Sequence, residues 1–286
     1  MTTPPSRNPI VFVGTQRSGT TWMGSVFSEH PDLAYWSEPR QVWTMGNSYT
    51  SDDVLTSAHA RPEVICKIHK KFDRFVARHG KARLVEKTPS NCLRIPFIHA
   101  VYPEAKIILV VRDGRSVLRS TQEIMQRNVP LWRIGLRAVQ TPIWEWPAYV
   151  PRAFSTISRN VTGRGLQFWG PRPPGWQEWV GRDSRNVVLA KQWSATITAA
   201  VESGQGIGPD HFLQFKYEDM MLNPRAVMQQ IVQFAQLEQA DELVERVVRD
   251  ADPARQDKWR ESLDEETLEE IRPHIEPTLT RLGYTW

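Results

Sequence analysis

Several absences bound what this 286-residue chain can be. It has only two cysteines, Cys66 and Cys92, which stand far apart with no His or Cys neighbour at metal-ligand spacing. That argues against a disulfide framework and a zinc site, and fits a reducing, cytoplasmic setting. No run approaches the roughly 18 apolar residues that a membrane span needs, and no basic segment leads into a long apolar core near the N-terminus. A soluble chain is expected. Lys/Arg blocks are missing too: a formal charge of +4 suits an anionic ligand but falls short of a nucleic-acid stripe.

The most informative absence is one lysine. Gly14-Thr15-Gln16-Arg17-Ser18-Gly19-Thr20-Thr21 follows the apolar run Ile10-Val11-Phe12-Val13 and precedes Trp22-Met23. A triphosphate-binding loop reads G-x-x-x-x-G-K-[ST], its backbone N–H groups cradling phosphate, its lysine reaching the outer phosphates and its hydroxyl holding magnesium. Here Thr20 occupies the lysine position. The unpaired N–H groups and dipole of a helix N-terminus still favour an anion, so the loop should hold one phosphate without triphosphate machinery. Arg17 can reach past it to a second acidic group, which a phosphosulfate supplies.

With 40% hydrophobic residues, the chain can bury a sizeable core. The pattern is α/β: a three-layer, P-loop-like domain with a central, mainly parallel sheet flanked by helices. The apolar runs at Ile10–Val13, Val64-Ile65, Leu84-Val85, 107–111 and 212–217 read as strands. A helix is expected from about Thr20 to Glu29, and another behind Asn223-Pro224 with Val227, Ile231, Phe234 and Leu237 on one face. A last helix starts near Ser262 and Glu265, where Pro273 and Pro277 should kink or break it. Glu86-Lys87 and Arg112-Asp113 close two of the strands, and ligands of parallel sheets gather outside strand carboxyl ends.

One domain covers residues 1–286, with an insertion at about 130–182. There Trp132, Trp144, Trp146, Trp169, Trp176 and Trp179 sit among prolines, glycines and arginines without clear periodicity. The segment is too aromatic for a disordered linker. It suits either the wall or lid of an acceptor pocket, or a packing or oligomer contact.

Five segments, in order, resemble the sulfotransferases that use 3′-phosphoadenosine 5′-phosphosulfate (PAPS), nearest to the bacterial and Golgi-type branches. Residues 16–21 are similar to the family's 5′-phosphosulfate loop, and Ser37-Glu38-Pro39-Arg40 to the acidic turn that carries the catalytic base. Glu86-Lys87-Thr88-Pro89 resembles the segment with the catalytic lysine, and Val111-Arg112-Asp113-Gly114-Arg115 through Ser120 the 3′-phosphate motif. Lys258-Trp259-Arg260 and Leu282-Gly283-Tyr284 resemble the late cofactor-covering loop and closing helix.

The resemblance implies a role for each position. Arg17, Ser18, Gly19, Thr20, Thr21 and Trp22 hold the phosphosulfate; Arg112 and Ser120, two helical turns on, hold the 3′-phosphate with help from Ser116. Tyr217, Lys258, Trp259 and Arg260 complete the cofactor site. Glu38, oriented by Arg40, acts as general base on an acceptor hydroxyl. Lys87 and Arg17 stabilise charge on the bridging oxygen as the S–O bond breaks. Glu86 reads as a partner for a cation. His69 is the rival base, because Lys67-Ile68-His69 superficially resembles the Lys-x-His of cytosolic sulfotransferases, although Glu86-Lys87 holds the expected place before Arg112. His99 has less support.

The implied reaction is in-line sulfuryl transfer without a metal ion, to an acceptor leaning toward a carbohydrate or glycosylated small molecule. A P-loop kinase or hydrolase, which Thr20 disfavours, and a non-catalytic binding protein on the same fold are the alternatives.

Overall fold

Ile10–Val13 is buried at every position, as an all-apolar run without alternation requires of a strand covered on both faces. In the computed structural model, which describes residues 8–125 and 168–286, this run is strand β1. It lies between β3 (Arg83–Lys87) and β4 (Lys106–Val111), with β2 (Leu33–Ser37) beyond β3 and β5 (Phe212–Lys216) beyond β4. Every pairing in the order β2-β3-β1-β4-β5 is parallel, so all five carboxyl ends share one edge. The helices are α1 (Thr20–Phe27), α2 (Arg40–Trp43), α3 (Pro62–Arg78), α4 (Ile95–Val101), α5 (Gly114–Met125), α6 (Trp176–Arg182), α7 (Arg185–Ile207), α8 (Tyr217–Leu222), α9 (Pro224–Ala235), α10 (Asp241–Asp250) and α11 (Glu265–Arg281).

Alternate strand residues enter opposite layers. Ile10, Phe12, Val85, Ile108 and Val110 pack with Met23 and Phe27 of α1, Ile231 of α9 and Val247 of α10. Val11, Val13, Leu84, Ile107 and Leu109 pack with Ile68 and Phe72 of α3, Phe97 of α4, Trp193 of α7 and Ile275 of α11. Each such fully buried side chain contributes about 1.5–3 kcal/mol. The result is the three-layer α/β arrangement expected from the sequence.

Several local expectations fail for identifiable reasons. Val64-Ile65 lies inside α3, not in a strand: Val64, Ile68, Phe72 and Val76 recur every four residues and are buried, while Pro62 starts the helix. A two-residue apolar pair had no period to reveal this. The edge strand β2 was not expected, and α1 stops at Phe27 rather than Glu29. Tyr217 begins α8 instead of ending β5. In α9 the buried face is Met228, Ile231 and Ala235, and Leu237 lies beyond the helix.

The last helix is capped by Asp264, whose carboxylate accepts from the Thr267 N–H at 2.8 Å, not by Ser262. It also runs unbroken through Pro273 and Pro277. Ile271, Ile275 and Leu279 are buried in the core, and that tertiary burial outweighs the two lost backbone bonds. Within the described part of the insertion, Trp176–Arg182 is helical despite its unclear pattern. Trp132, Trp144 and Trp146 lie outside the described residues.

Trp193 of α7 fixes the start of α5. Its indole donates to the Arg112 carbonyl at 3.2 Å, and a Cβ on Gly114 would meet its ring at 2.8 Å. Gly114→Ala should therefore lower stability by about 1–3 kcal/mol in urea unfolding, whereas an unchanged midpoint would contradict this close approach.

Candidate active site

The loop after β1 is shaped for an anion. Gly19 caps α1 at φ 101°, its side-chain-free Cα pressed against the Tyr217 ring, where a Cβ would come within 2.7 Å. Arg17 also takes a left-handed conformation, φ 65°. No side chain caps α1, so its first-turn N–H groups face the loop without intrahelical acceptors. Positive φ values and first-turn amides together form an anion-binding concavity. Ser18 Oγ is spent within the loop, donating to the Thr15 carbonyl at 2.8 Å.

The second basic group sits at the end of β4. Arg112 Nη1 donates to the Arg17 carbonyl at 3.0 Å, and its guanidinium lies 4.4 Å from the Tyr217 ring centroid. Arg112 Nε is buried with no acceptor among the described residues, and a phosphate oxygen would provide one. Arg17 Nε donates to Ser120 Oγ at 3.0 Å, so the loop and the α5 serine are already joined. Trp22 reaches Asp250 at 3.2 Å and packs edge-on to Tyr217.

At the other end lies an ion pair. Lys87 Nζ donates to Glu38 Oε1 at 2.7 Å, with the lysine side chain 2% exposed and the carboxylate 45% exposed. A buried ammonium without such a partner would be costly. Glu38 itself holds φ 55°, a conformation that favours glycine. Its N–H donates to the Lys87 carbonyl at 2.8 Å, and its own carbonyl accepts from Arg40 N at 2.7 Å. The backbone is thus strained where the carboxylate is presented, as functional sites often are.

Other expected contacts resolve differently. Arg40 does not hold the Glu38 carboxylate: its guanidinium straddles both Asp53 oxygens at 2.6 Å. Among the described residues Glu86 forms no ion pair. It is fully buried and faces the layer opposite Lys87, accepting from Thr88 Oγ1 at 2.9 Å and Asn91 Nδ2 at 2.7 Å. Burial, only partly offset by these hydrogen bonds, pushes its pKa up to about 7. Ser116 is committed to the Gln256 carbonyl at 3.0 Å. Trp259 belongs to the core beneath the Arg115 guanidinium, while Lys258 and Arg260 are exposed, Arg260 pairing with Asp257. From that segment the structure instead brings the Arg255 and Gln256 carbonyls to Arg112 and Ser116.

Tyr284 donates to Glu218 at 2.7 Å, closing the C-terminal segment against α8. His69 lies on α3, bonded to the Val101 carbonyl at 2.9 Å and packed on Tyr102, a structural setting. The His99 ring lies 5.0 Å from that of His211, tilted by 53°. Sequence reasoning missed the polar residues behind the site, Asp53, Asn91, Arg94 and Gln192, because none belongs to a recognisable motif. Gln192 links Gln16 Nε2 (2.6 Å) to the carbonyls of Trp169 and Pro171.

Strand order then arranges the site. From β2 across β3, β1 and β4 to β5, the strand ends present Glu38, Lys87, the Gly14–Thr20 loop, Arg112 and Tyr217 in a row. Neighbouring strands are about 4.8 Å apart, so the row spans roughly 20 Å. The parallel sheet carries a lysine-free phosphate loop, a second basic end and a carboxylate–ammonium pair along one edge, a P-loop-like arrangement without the triphosphate lysine. The Sulfotransferase family profile matches residues 9–158 and 158–241, and the chain belongs to that family.

Protein-tyrosine sulfotransferase A of Caenorhabditis elegans is 24% identical over 307 residues, covering 97% of this chain and 67% of its own length. Human protein-tyrosine sulfotransferase 1 is 27% identical over 151 residues, 48% of this chain and 40% of its own. The sulfotransferase domain from the curacin biosynthetic pathway shares the fold at TM-score 0.57 and 14% identity, covering 97% of this chain and 98% of that one. Protein-tyrosine sulfotransferases of Drosophila melanogaster and Gallus gallus are matched over 38% and 69% of their lengths, so this chain spans only part of such relatives.

The raised Glu86 pKa has a signed consequence. The protonated form is favoured on folding, so its contribution is complete below the ordinary value of 4.5 and is lost as pH rises toward 7. Between pH 4.5 and 8, Glu86→Gln should gain up to about 3 kcal/mol relative to the parent in urea unfolding. A pH-independent difference would contradict a buried, titrating Glu86.

Proposed function

We propose that the chain is a PAPS-dependent sulfotransferase, moving a sulfuryl group from PAPS to an acceptor hydroxyl. The observation that carries this is the Lys87–Glu38 pair at 2.7 Å, with Lys87 one strand and Glu38 two strands from a phosphate loop that has threonine in the lysine position. Family membership and the fold support the same function.

In this reading the α1 amides, with Thr20 and Thr21, hold the 5′-phosphosulfate end. Arg112, Ser120 and Arg17 hold the 3′-phosphate, which ATP lacks. Glu38 takes the proton of the acceptor hydroxyl as its oxygen bonds to sulfur. Lys87 offsets the negative charge gathered on the bridging oxygen as the S–O bond breaks and its electron pair leaves with adenosine 3′,5′-bisphosphate. Arg17, held to Ser120 here, can serve the 3′-phosphate directly and the bridging oxygen after turning. Lys258 and Arg260, being exposed, are available to cover the nucleotide. No residue in this scheme calls for a metal ion, and the free Cys66 and Cys92 are what favour a reducing, cytoplasmic setting.

Two acceptor classes have support. The relatives named as protein-tyrosine sulfotransferases favour a phenolic hydroxyl in a peptide. The aromatic and basic composition of residues 130–182 favours a carbohydrate.

Adenosine 3′,5′-bisphosphate should stabilise the protein by about 2–3 kcal/mol at a hundredfold excess over its Kd, with EDTA present. ATP with magnesium should not; the reverse pattern would assign the site to a kinase or hydrolase. With a tyrosine-peptide and oligosaccharide panel, Glu38→Gln should lower kcat by about 10²–10⁴, and Lys87→Met by at least about 10². Bisphosphate binding should persist in both variants, and unchanged turnover would remove these residues from the chemistry.

A further inference from the structure

Asp53 is 1% exposed and receives three guanidinium groups, from Arg40, Arg94 and Arg172. Burial alone would raise its pKa, but the three arginines outweigh that and hold the carboxyl well below the usual range. Arg94 is equally buried, so the node places two surplus positive charges at the protein interior's edge. Such a cluster is an expensive way to fill space, and apolar side chains would pack there at least as stably.

Its connections lead to the reacting pair from both sides. Arg40, bonded to Asp53 at 2.6 Å, is also the residue whose N–H closes the strained Glu38 turn. Arg94 donates to Asp53 Oδ1 and to the Asp53 carbonyl, both at 3.0 Å, and to Asn91 Oδ1 at 3.4 Å. Asn91 donates to Glu86 Oε1 at 2.7 Å, and Glu86 is covalently next to Lys87. Lys87 returns to Glu38 through its ammonium and its carbonyl. The contacts therefore form a closed ring: Glu38, Arg40, Asp53, Arg94, Asn91, Glu86, Lys87 and Glu38 again. Arg172 clamps the ring from outside, its N–H donating to Asp53 Oδ2 at 2.9 Å while the Asp53 N–H donates to the Arg172 carbonyl at 2.8 Å.

We propose that Asp53 is a positioning residue for sulfuryl transfer, setting the Glu38–Lys87 geometry through Arg40 on one side and Arg94–Asn91 on the other. This rests on the sulfotransferase function proposed above. Asp53 lies on the acceptor side of the strand row, and among the described residues its ion pairs go to Arg40, Arg94 and Arg172 rather than to the phosphate loop or Arg112. Its path to the loop, through Arg172, Pro171, Gln192 and Gln16, is indirect, so the donor end should feel its loss far less than the reacting pair does.

The test is a double-mutant cycle on the full chain with PAPS and the acceptor. Asp53→Asn should lower kcat at least about tenfold while the Kd for adenosine 3′,5′-bisphosphate stays within about twofold. In the Glu38→Gln background the same change should lower kcat less than about twofold, because the ion pair whose geometry it sets is already broken. Equal losses in both backgrounds, or a loss that follows bisphosphate affinity, would overturn the proposal. If Asp53→Asn does not fold, Arg172→Ala, which removes only the outer clamp's side chain, takes its place with the same expected pattern at smaller amplitude. Crystal structures supply a readout without activity: the Lys87–Glu38 contact should open beyond 4 Å in the variant and persist in the parent. An intact pair in the variant would sink the positioning role even if the parent transfers no sulfuryl group; absence of transfer by the parent would instead refute the proposed function.

Discussion

The site depends on one buried ammonium. Lys87 ends a strand inside the sheet, where a lone positive charge would be prohibitively desolvated, and the fold answers by bending a glutamate turn into a left-handed conformation to meet it. The pairing fixes β2 beside β3, because the same two residues also share a backbone hydrogen bond. It leaves the Glu38 side chain 45% exposed, so the carboxylate stays accessible from solvent. A carboxylate and an ammonium are thereby held in one arrangement before any ligand binds, the kind of preorganisation the proposed transfer needs.

The rest of the site follows from parallel topology. Because all five strands run the same way, motifs far apart in sequence end on one edge, ordered by the sheet rather than by the chain. Glu38 and Lys87 fall at one end, Arg112 and Tyr217 at the other, and the loop after β1 stands between them. The lysine missing from that loop would have gathered triphosphate oxygens over one strand end. Its cationic role is divided between Lys87 one strand to one side and Arg112 one strand to the other, which suits a ligand with charge at two separated positions.

Much of this was legible in residues alone. The buried strands declared themselves as unbroken apolar runs, and the loop by its glycines, so the layers and the strand-loop-helix order around Gly14–Thr21 were read correctly. Val64-Ile65 misled because the pair was read alone and fits a strand or a helix, whereas the four-residue recurrence of Val64, Ile68, Phe72 and Val76 behind Pro62 is helical. Pro273 and Pro277 misled because local backbone loss was weighed without the core packing that overrides it. Arg40 was assigned to its sequence neighbour Glu38, whereas its partner Asp53 comes from a loop with no pattern to announce it. Long-range polar pairing leaves no periodicity in a sequence; it emerges only when the sheet brings the segments together.

Radiolabelled PAPS incubated with the protein and an extract of its source cell bears most directly on the Glu38–Lys87 pair as the reacting centre. Label should appear on a hydroxyl of a defined acceptor with the parent protein and not with Glu38→Gln, although both bind adenosine 3′,5′-bisphosphate alike. Label that remains on the donor, emerges only as inorganic sulfate, or reaches the acceptor equally with Glu38→Gln would contradict it.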